Sequence, residues 1–400
     1  MALALAAVQC LGQTAASPVP KRQTAAAASP QRQTALTLEQ QGRNAEAEAA
    51  WRLYLKAHPS SPEAYAHLGL LEARQERYKE AVPLYRKALA LGPKIPGLQL
   101  NLGLALFKGG DLKESIPVFA ALLKAEPADS PQARQLTILL GMAHYGLGEY
   151  AEAVPLLRAA AQADAQNLQL RLALAHSCLW TKEYQCVLDA YHEILLLNAE
   201  SAEADMLAGE ALDETKDTPG AIQQFRAAVK ADPRQPDVHF GLGYLLWIQK
   251  QYEEAASEFQ AELANNPNHV QAMIYLGDTQ LELNHPEAAL PLLEDSLRID
   301  QGQELAHLDL GILYSDAGRR DDALRELKIA EKLDPSDEKV HWRLGRLYQA
   351  EGRKDEAKAE FDTTRAMQKA AEDTVARKLE RIQEKAKSAE EAPAAPAARQ

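Results

Sequence analysis

The chain has 400 residues, a quarter of them charged, with a formal net charge of −13 and a pI near 5.4. That balance argues against nucleic acid and against an anionic membrane surface as partners. No run of about 18 or more apolar residues occurs, so no ordinary membrane-spanning helix is expected.

Residues 1–16 are apolar at first and then small, with Thr14 and Ala16 at the small-residue positions of a cleavage site. This is the layout of a secretory signal that lacks its basic leader. It sets the expectation of export to a periplasmic or extracellular space, with an Ala-rich start on a cytoplasmic protein as the alternative. Cys10 follows Gln9, the wrong residue for a lipoprotein box. Residues 17–30, with Ser-Pro, Val-Pro and an Ala run, have linker composition and nothing to build a core from.

Over residues 31–367 one skeleton recurs, clearest in 236–267, where Gly243, Ala255, Phe259 and Pro267 mark its fixed points. With each unit numbered from its own start, slot eight holds Ala35, Gly69, Gly103, Gly141, Ala175, Gly209, Gly243, Gly277, Gly311 and Gly345. The spacing is 34 throughout except for 38 between Gly103 and Gly141. Slot twenty is small in nearly every unit: Ala47, Ala81, Ser115, Ala153, Val187, Ala221, Ala255, Ala289, Ala323 and Ala357. Slot twenty-four is large, from Trp51 and Tyr85 through Phe259 to Phe361. Slots four, seven, eight and eleven are mostly apolar or small, which is helical spacing. Each unit therefore reads as two helices joined by a turn. Glycine inside a helix costs about 1 kcal/mol against Ala, so it implies close packing that offsets the loss. Pro at slot thirty-two (Pro59, Pro93, Pro127, Pro233, Pro267, Pro335) ends the second helix. Ala165, Ala199 and Gln301 replace it, so those junctions are expected to be less sharply bent or less rigid.

The four extra residues precede the fourth unit. Ser130 followed by Pro131 is a helix-start signal like Ser61 and Pro62, so the insertion is expected to lengthen a helix by about one turn. After residue 367 the apolar positions Ala371, Val375, Leu379 and Ile382 keep helical steps. Residues 368–388 therefore read as a helix capping the open end of the repeat, and 389–400 as a disordered tail.

A period of 34 with these slots resembles the tetratricopeptide-repeat family over about ten units. The resemblance implies an all-α, right-handed superhelical solenoid of antiparallel helix pairs. In that family the face bearing slots two, five, nine and twelve, roughly 130° around the first helix from the packed slots, lines a groove that contacts ligand peptides. Carried over, the groove positions include Met142, Tyr145, His176, Glu210, Phe240, Tyr244, Trp247, Ile274, Asp278, Trp342 and Arg346. Phe240, Tyr244 and Trp247 share one helix face and are the best anchors. The competing explanation is that slot five is apolar because it packs against the next unit. The chaperone-tail clamp of some relatives needs Lys and Asn at slots five and nine, which are apolar, acidic or mixed here, so acidic chaperone tails are not expected ligands.

Cys178 and Cys186 flank the turn of the fifth unit. Export would favour a disulfide between them; otherwise they read as two buried thiols. His239, His307 and His341 occupy slot four of separate units, too far apart to share a metal at the usual helix-packing spacing. No zinc spacing, P-loop or Gly-x-Ser-x-Gly elbow occurs. The expected role is a non-enzymatic scaffold that binds a protein or peptide, without cofactor or metal. The alternatives are an exported adaptor in envelope assembly or polysaccharide export, and a subunit presenting substrate to a separately encoded enzyme.

Overall fold

The structure, a computed structural model, describes residues 29–92, 95–197 and 200–390. The readings of residues 1–16, of all but the last two linker residues, of Pro93 and Ala199, and of the tail from 391 lie outside the described residues. Among the described residues there are twenty helices and no strand. They form two compact units, Met1–Asp232 and Pro233–Gln400.

The first unit pairs α1 (Pro30–Gln40) with α2 (Asn44–Ala57), α3 (Pro62–Arg74) with α4 (Tyr78–Leu91) and α5 (Leu98–Lys108) with α6 (Leu112–Ala125). It continues with α7 (Pro131–Leu147) and α8 (Tyr150–Ala163), α9 (Leu168–Trp180) and α10 (Tyr184–Leu196), and α11 (Ala202–Glu214) and α12 (Thr218–Ala231). The second unit pairs α13 (Val238–Ile248) with α14 (Tyr252–Asn265) and α15 (Val270–Glu282) with α16 (Pro286–Ile299). It ends with α17 (Glu304–Asp316) and α18 (Arg320–Leu333), and α19 (Glu338–Ala350) and α20 (Lys354–Glu390). One pair cannot bury its apolar face alone, and the cores accordingly cross from pair to pair. Phe119, Leu136, Leu157, Leu170 and Leu207 belong to one cluster in the first unit, and Ile274, Leu293, Leu310, Leu327 and Leu344 to one in the second.

The glycine of slot eight does more than let two backbones approach. It makes room for the large side chain of slot twenty-four. A Cβ on Gly69 would lie 2.7 Å from the Tyr85 ring, on Gly103 2.6 Å from Phe119, on Gly243 2.8 Å from Phe259 and on Gly311 2.6 Å from Leu327. Those four side chains are at most 1% exposed. The fifth pair has Ala175 at slot eight, and there Tyr191 is only half-buried, its hydroxyl donating to Asp205 Oδ1 at 3.0 Å.

Each in-pair turn uses one left-handed residue at slot fifteen. Five are glycines and the others are Glu76, Lys182, Lys216, Lys250 and Asn284, with φ between 59° and 71°. The next N–H then reaches back to the slot-eleven carbonyl, as in Gln251 N to Leu246 O at 2.9 Å, which closes a Schellman motif.

The junctions without Pro end their helices as sharply as the others, at Ala163 and Ile299, two residues before the missing Pro. The terminator is the residue between. Asp300 is extended and its carboxylate accepts from Gly302 N at 2.8 Å, an Asx turn that needs no proline. The lengthened helix is borne out: α7 has 17 residues where α3 has 13, and Ser130 Oγ accepts from Ala133 N at 3.0 Å, as Ser61 Oγ does from Ala64 N at 3.3 Å. At the far end α20 runs unbroken for 37 residues. Its buried side chains stop at Thr364, and Val375 and Leu379 are 57% and 54% exposed. Of the residues 368–388 expected to cap the repeat, Gln368 Nε2 donates to Glu338 Oε1 of α19 at 2.6 Å, and the side chains of 369–381 are exposed. The last pair is closed by α20's own first half, through Ala357, Phe361 and Thr364.

Candidate functional site

Helices α13 and α15 build the candidate face of the second unit. Phe240, Tyr244 and Trp247 stand at steps of four and three along α13, so their rings follow one another. The centroids are 6.2 Å apart for Phe240 and Tyr244 and 6.1 Å for Tyr244 and Trp247. All three are half-buried. Tyr275 of α15 stands across the row, 5.9, 5.2 and 5.1 Å from the three rings and edge-on to the last two. Buried Phe259 backs the cluster, 6.0 Å from Phe240 and from Tyr275. Edge-to-face packing of this kind favours a fixed arrangement of rings.

Trp247 Nε1 donates to Asp278 Oδ2 at 2.5 Å, which ties the end of the aromatic row to a carboxylate on the next first helix. Burial pushes the Asp278 carboxyl above the usual range, opposed by this indole hydrogen bond. Burial also pushes the Tyr275 hydroxyl up to about 12, with Tyr244 and Asp278 adding to the effect.

The structure brings Phe240, Tyr244, Trp247 and Asp278 together. It also joins Trp342 and Arg346, with the guanidinium carbon 5.2 Å from the indole centroid and Trp342 39% exposed. In the first unit Tyr145 and His176 meet at 5.5 Å, with Tyr150 and exposed Trp180 completing a second aromatic group. Burial pushes the His176 imidazole down, and its Nδ1 is buried without a partner. Glu210 is exposed on α11. Two of the groove positions offer no surface, which corrects their reading as contacts. Met142 is 0% and Ile274 1% exposed, each packed into its unit's core. For Ile274 this is the packing explanation of slot five.

Tyr275, Tyr150 and Trp180 were missed by slot reasoning. Tyr275 occupies slot six, about 80° around the helix from the centre of the expected face at 100° per residue. A search for aromatic residues on either flank of that face would have found it.

The slot-four histidines act within their own pairs. Nδ1 of His239, His307 and His341 lies 2.6, 2.8 and 2.7 Å from Glu258, Glu326 and Glu360 respectively. His341 Nε2 is held by Pro335 O at 3.0 Å, so neither ring nitrogen is open to a metal. The neighbouring carboxylates Glu331 and Glu360 are instead bridged by the Lys328 ammonium, at 2.9 and 3.2 Å. Cys178 and Cys186 are joined as a disulfide across the turn between α9 and α10, with Cα atoms 5.9 Å apart. No described helix is long and apolar enough to cross a membrane.

Two family models, both described as tetratricopeptide repeat, match the chain, one at residues 32–96, 100–167, 188–236, 217–269 and 240–304, the other at 284–341 and 314–381. No curated protein sequence matches it. Similar solved structures include MamA 41-end from Desulfovibrio magneticus RS-1, 20% identical, covering 43% of this chain and 98% of that one with a TM-score of 0.39. YrrB, described as a TPR protein with an unusual peptide-binding site, is 20% identical over 45% of this chain and 92% of that one, with a TM-score of 0.38. The pilF protein of Pseudomonas aeruginosa is 20% identical over 49% and 89%, with a TM-score of 0.44. The family matches leave few residues uncovered between 32 and 381, and eight of the ten helix pairs beneath them set a slot-eight glycine under a large slot-twenty-four side chain. On both grounds the chain belongs to the tetratricopeptide-repeat family.

Proposed function

We propose that the chain is a non-enzymatic interaction scaffold whose second unit holds a segment of a partner polypeptide against Phe240, Tyr244, Trp247 and Tyr275. The observation that carries this reading is the half-buried aromatic row, fixed from behind by Phe259 and at its end by Asp278. Rigid aromatic side chains lose little entropy on binding and dominate contact energies at interfaces. A row at helical steps suits either an extended strand of partner or one face of a helix. The test is a random dodecapeptide display library panned on the wild-type chain and on a Tyr244→Ala/Trp247→Ala variant whose circular dichroism and melting match the wild type. Recovered peptides should bind the variant at least tenfold more weakly. Equal binding would reject these anchors.

A second reading concerns place. The Cys178–Cys186 bond supports an oxidising compartment and hence the exported form, an extracytoplasmic adaptor. Thiol labelling of the protein from its native cells tests this: free Cys178 and Cys186 in the intact protein would count against export.

A further inference from the structure

Beyond the aromatic row lies a carboxylate cluster that the chain itself does not complete. Asp309 of α17 is 3% exposed and its Oδ2 is buried without a hydrogen-bond partner. The charges that bear on it come from three successive first helices: Asp278 and Glu282 on α15, its neighbour Glu304 on α17, and Lys339 on α19. Glu304 also has a buried oxygen, Oε1, without a partner, and it faces Asp334 and Asp337. A single lysine, on an exposed position, thus stands against this whole group. Leaving a buried acceptor empty, and like charges facing one another, is unfavourable unless something positive fills the gap. Burial first, and then the charge of Asp278, push the Asp309 carboxyl well above its ordinary range, with Lys339 opposing.

Asp278 joins this cluster to the aromatic row, because its Oδ2 holds the Trp247 indole. At Asp278 a cation would meet a carboxylate already tied to the Trp247 indole, whose ring lies 5.1 Å from that of Tyr275. That is the environment in which an ammonium or guanidinium is held by ion pairing and by the ring quadrupole together. The same unit shows the principle with its own side chains, where the Lys328 ammonium bridges Glu331 and Glu360.

We propose that Asp278 and Asp309, at the end of the row formed by Tyr244, Trp247 and Tyr275, make a subsite for the cationic side chain of a Lys or Arg in the bound polypeptide. This rests on the polypeptide-binding reading above and specifies the partner: a segment with apolar or aromatic residues followed by a basic one. The subsite selects against the acidic tails that other clamps take, because a carboxylate placed there would face Asp278, Asp309 and Glu304.

The experiment uses the same dodecapeptide library, panned on the full chain and on Asp309→Asn and Asp278→Asn variants, with affinities of recovered peptides measured by fluorescence anisotropy. Lys or Arg should be enriched among wild-type binders, and replacing that residue by norleucine should weaken binding about 10- to 100-fold, the range for a charge-assisted contact. Each Asp variant should lose the enrichment and the norleucine effect together, binding the basic peptide and its norleucine counterpart within about twofold of each other. Recovery of no peptide at all would overturn the polypeptide-binding reading and this inference with it. Peptides that need Tyr244 and Trp247 but show no basic preference, or a preference unchanged in both variants, would overturn the subsite alone. Asn is isosteric with Asp, and the two sites are tested separately, so a folding failure of one leaves the other to decide.

Discussion

Gly243→Ala tests the packing rule that eight of the ten helix pairs share. On an exposed helix this change would stabilise by about 1 kcal/mol. Here the new Cβ would lie 2.8 Å from Cδ1 and from Cε1 of Phe259, about 1 Å inside ordinary carbon–carbon contact. Phe259 is 0% exposed and has Phe240 and Tyr275 against it, so the ring has nowhere to go. Overpacking of this kind costs about 1–3 kcal/mol, which outweighs the helix gain and leaves a net loss of about 1 kcal/mol. Removing the ring reverses the sign. Phe259→Ala alone should cost about 3–5 kcal/mol through the cavity it leaves. In that background Gly243→Ala should stabilise by up to about 1 kcal/mol, a coupling of about 2 kcal/mol across the cycle. Urea unfolding of the four proteins followed by circular dichroism measures it. If Gly243→Ala has the same effect with and without the ring, the glycine is not there for Phe259. Gly345→Ala is the internal comparison. Its Cβ meets Phe361 at 2.7 Å, but that ring is only half-buried and free to swing, so the change should be close to neutral.

The turns give a cleaner backbone measurement. A Cβ on Gly318 meets nothing within 4 Å, yet its φ is +74°, so Gly318→Ala should lose about 1 kcal/mol from conformation alone. Lys250→Gly, at φ 59°, should gain about 0.5–1 kcal/mol in the same urea assay. The Cys178–Cys186 bond closes a loop of sequence separation 8, and its loss in a Cys178→Ala/Cys186→Ala variant should cost roughly 2–3 kcal/mol on the chain-entropy account. Burial and the charges of Asp337 and Asp334 raise Glu304 from 4.5 to about 7. The folded state then holds the proton more tightly than the unfolded one, so stability falls as pH rises from about 4.5 to about 7. Glu304→Gln should flatten that slope in melts taken across the interval. His341 has the opposite origin. Burial lowers it, but the Glu360 carboxylate and the Pro335 carbonyl more than offset this and leave its pKa raised. Its contribution is complete below about 6.5 and is lost as pH rises through the folded value. His341→Gln should remove that loss, and an unchanged alkaline slope would show that the imidazole does not matter.

The pair architecture was legible in the sequence because it repeats. Gly69, Gly103 and Gly243 each announce the same contact, and Ser130-Pro131 announces its own lengthened helix. Proline at slot thirty-two was misleading for a physical reason. It marks a place where the chain has already turned, and Asp300 turns it equally well with an Asx hydrogen bond. The helix after Met367 misled in another way. Val375 and Leu379 keep an apolar period, but a period says only that a helix has a face, not that a neighbour covers it.

The candidate site was half legible, and the division follows from what a repeat average can contain. Slots that pack identically in every pair are over-determined, so their residues carry information about fold. Slots five and nine vary, which is why Phe240 and Tyr244 stood out, but slot five is also a packing position, which is why Ile274 is buried. Slot six has no rule of its own, and there Tyr275 and Asp309 break from anything packing requires. Tyr275 at least adds apolar contact to its neighbours. Asp309 adds none, since a buried carboxylate oxygen without a partner lowers the stability of the free chain. Asp309→Asn should therefore make the unliganded second unit more stable above neutral pH, where the carboxylate must ionise or hold its proton at a cost, and less so near pH 5, where holding that proton costs the wild type less; the asparagine has nothing there to titrate. Melting temperatures of the two proteins at both pH values measure this difference. A variant less stable than the wild type at high pH would mean that Asp309 already has its partner within the chain, and that the position belongs to the fold after all.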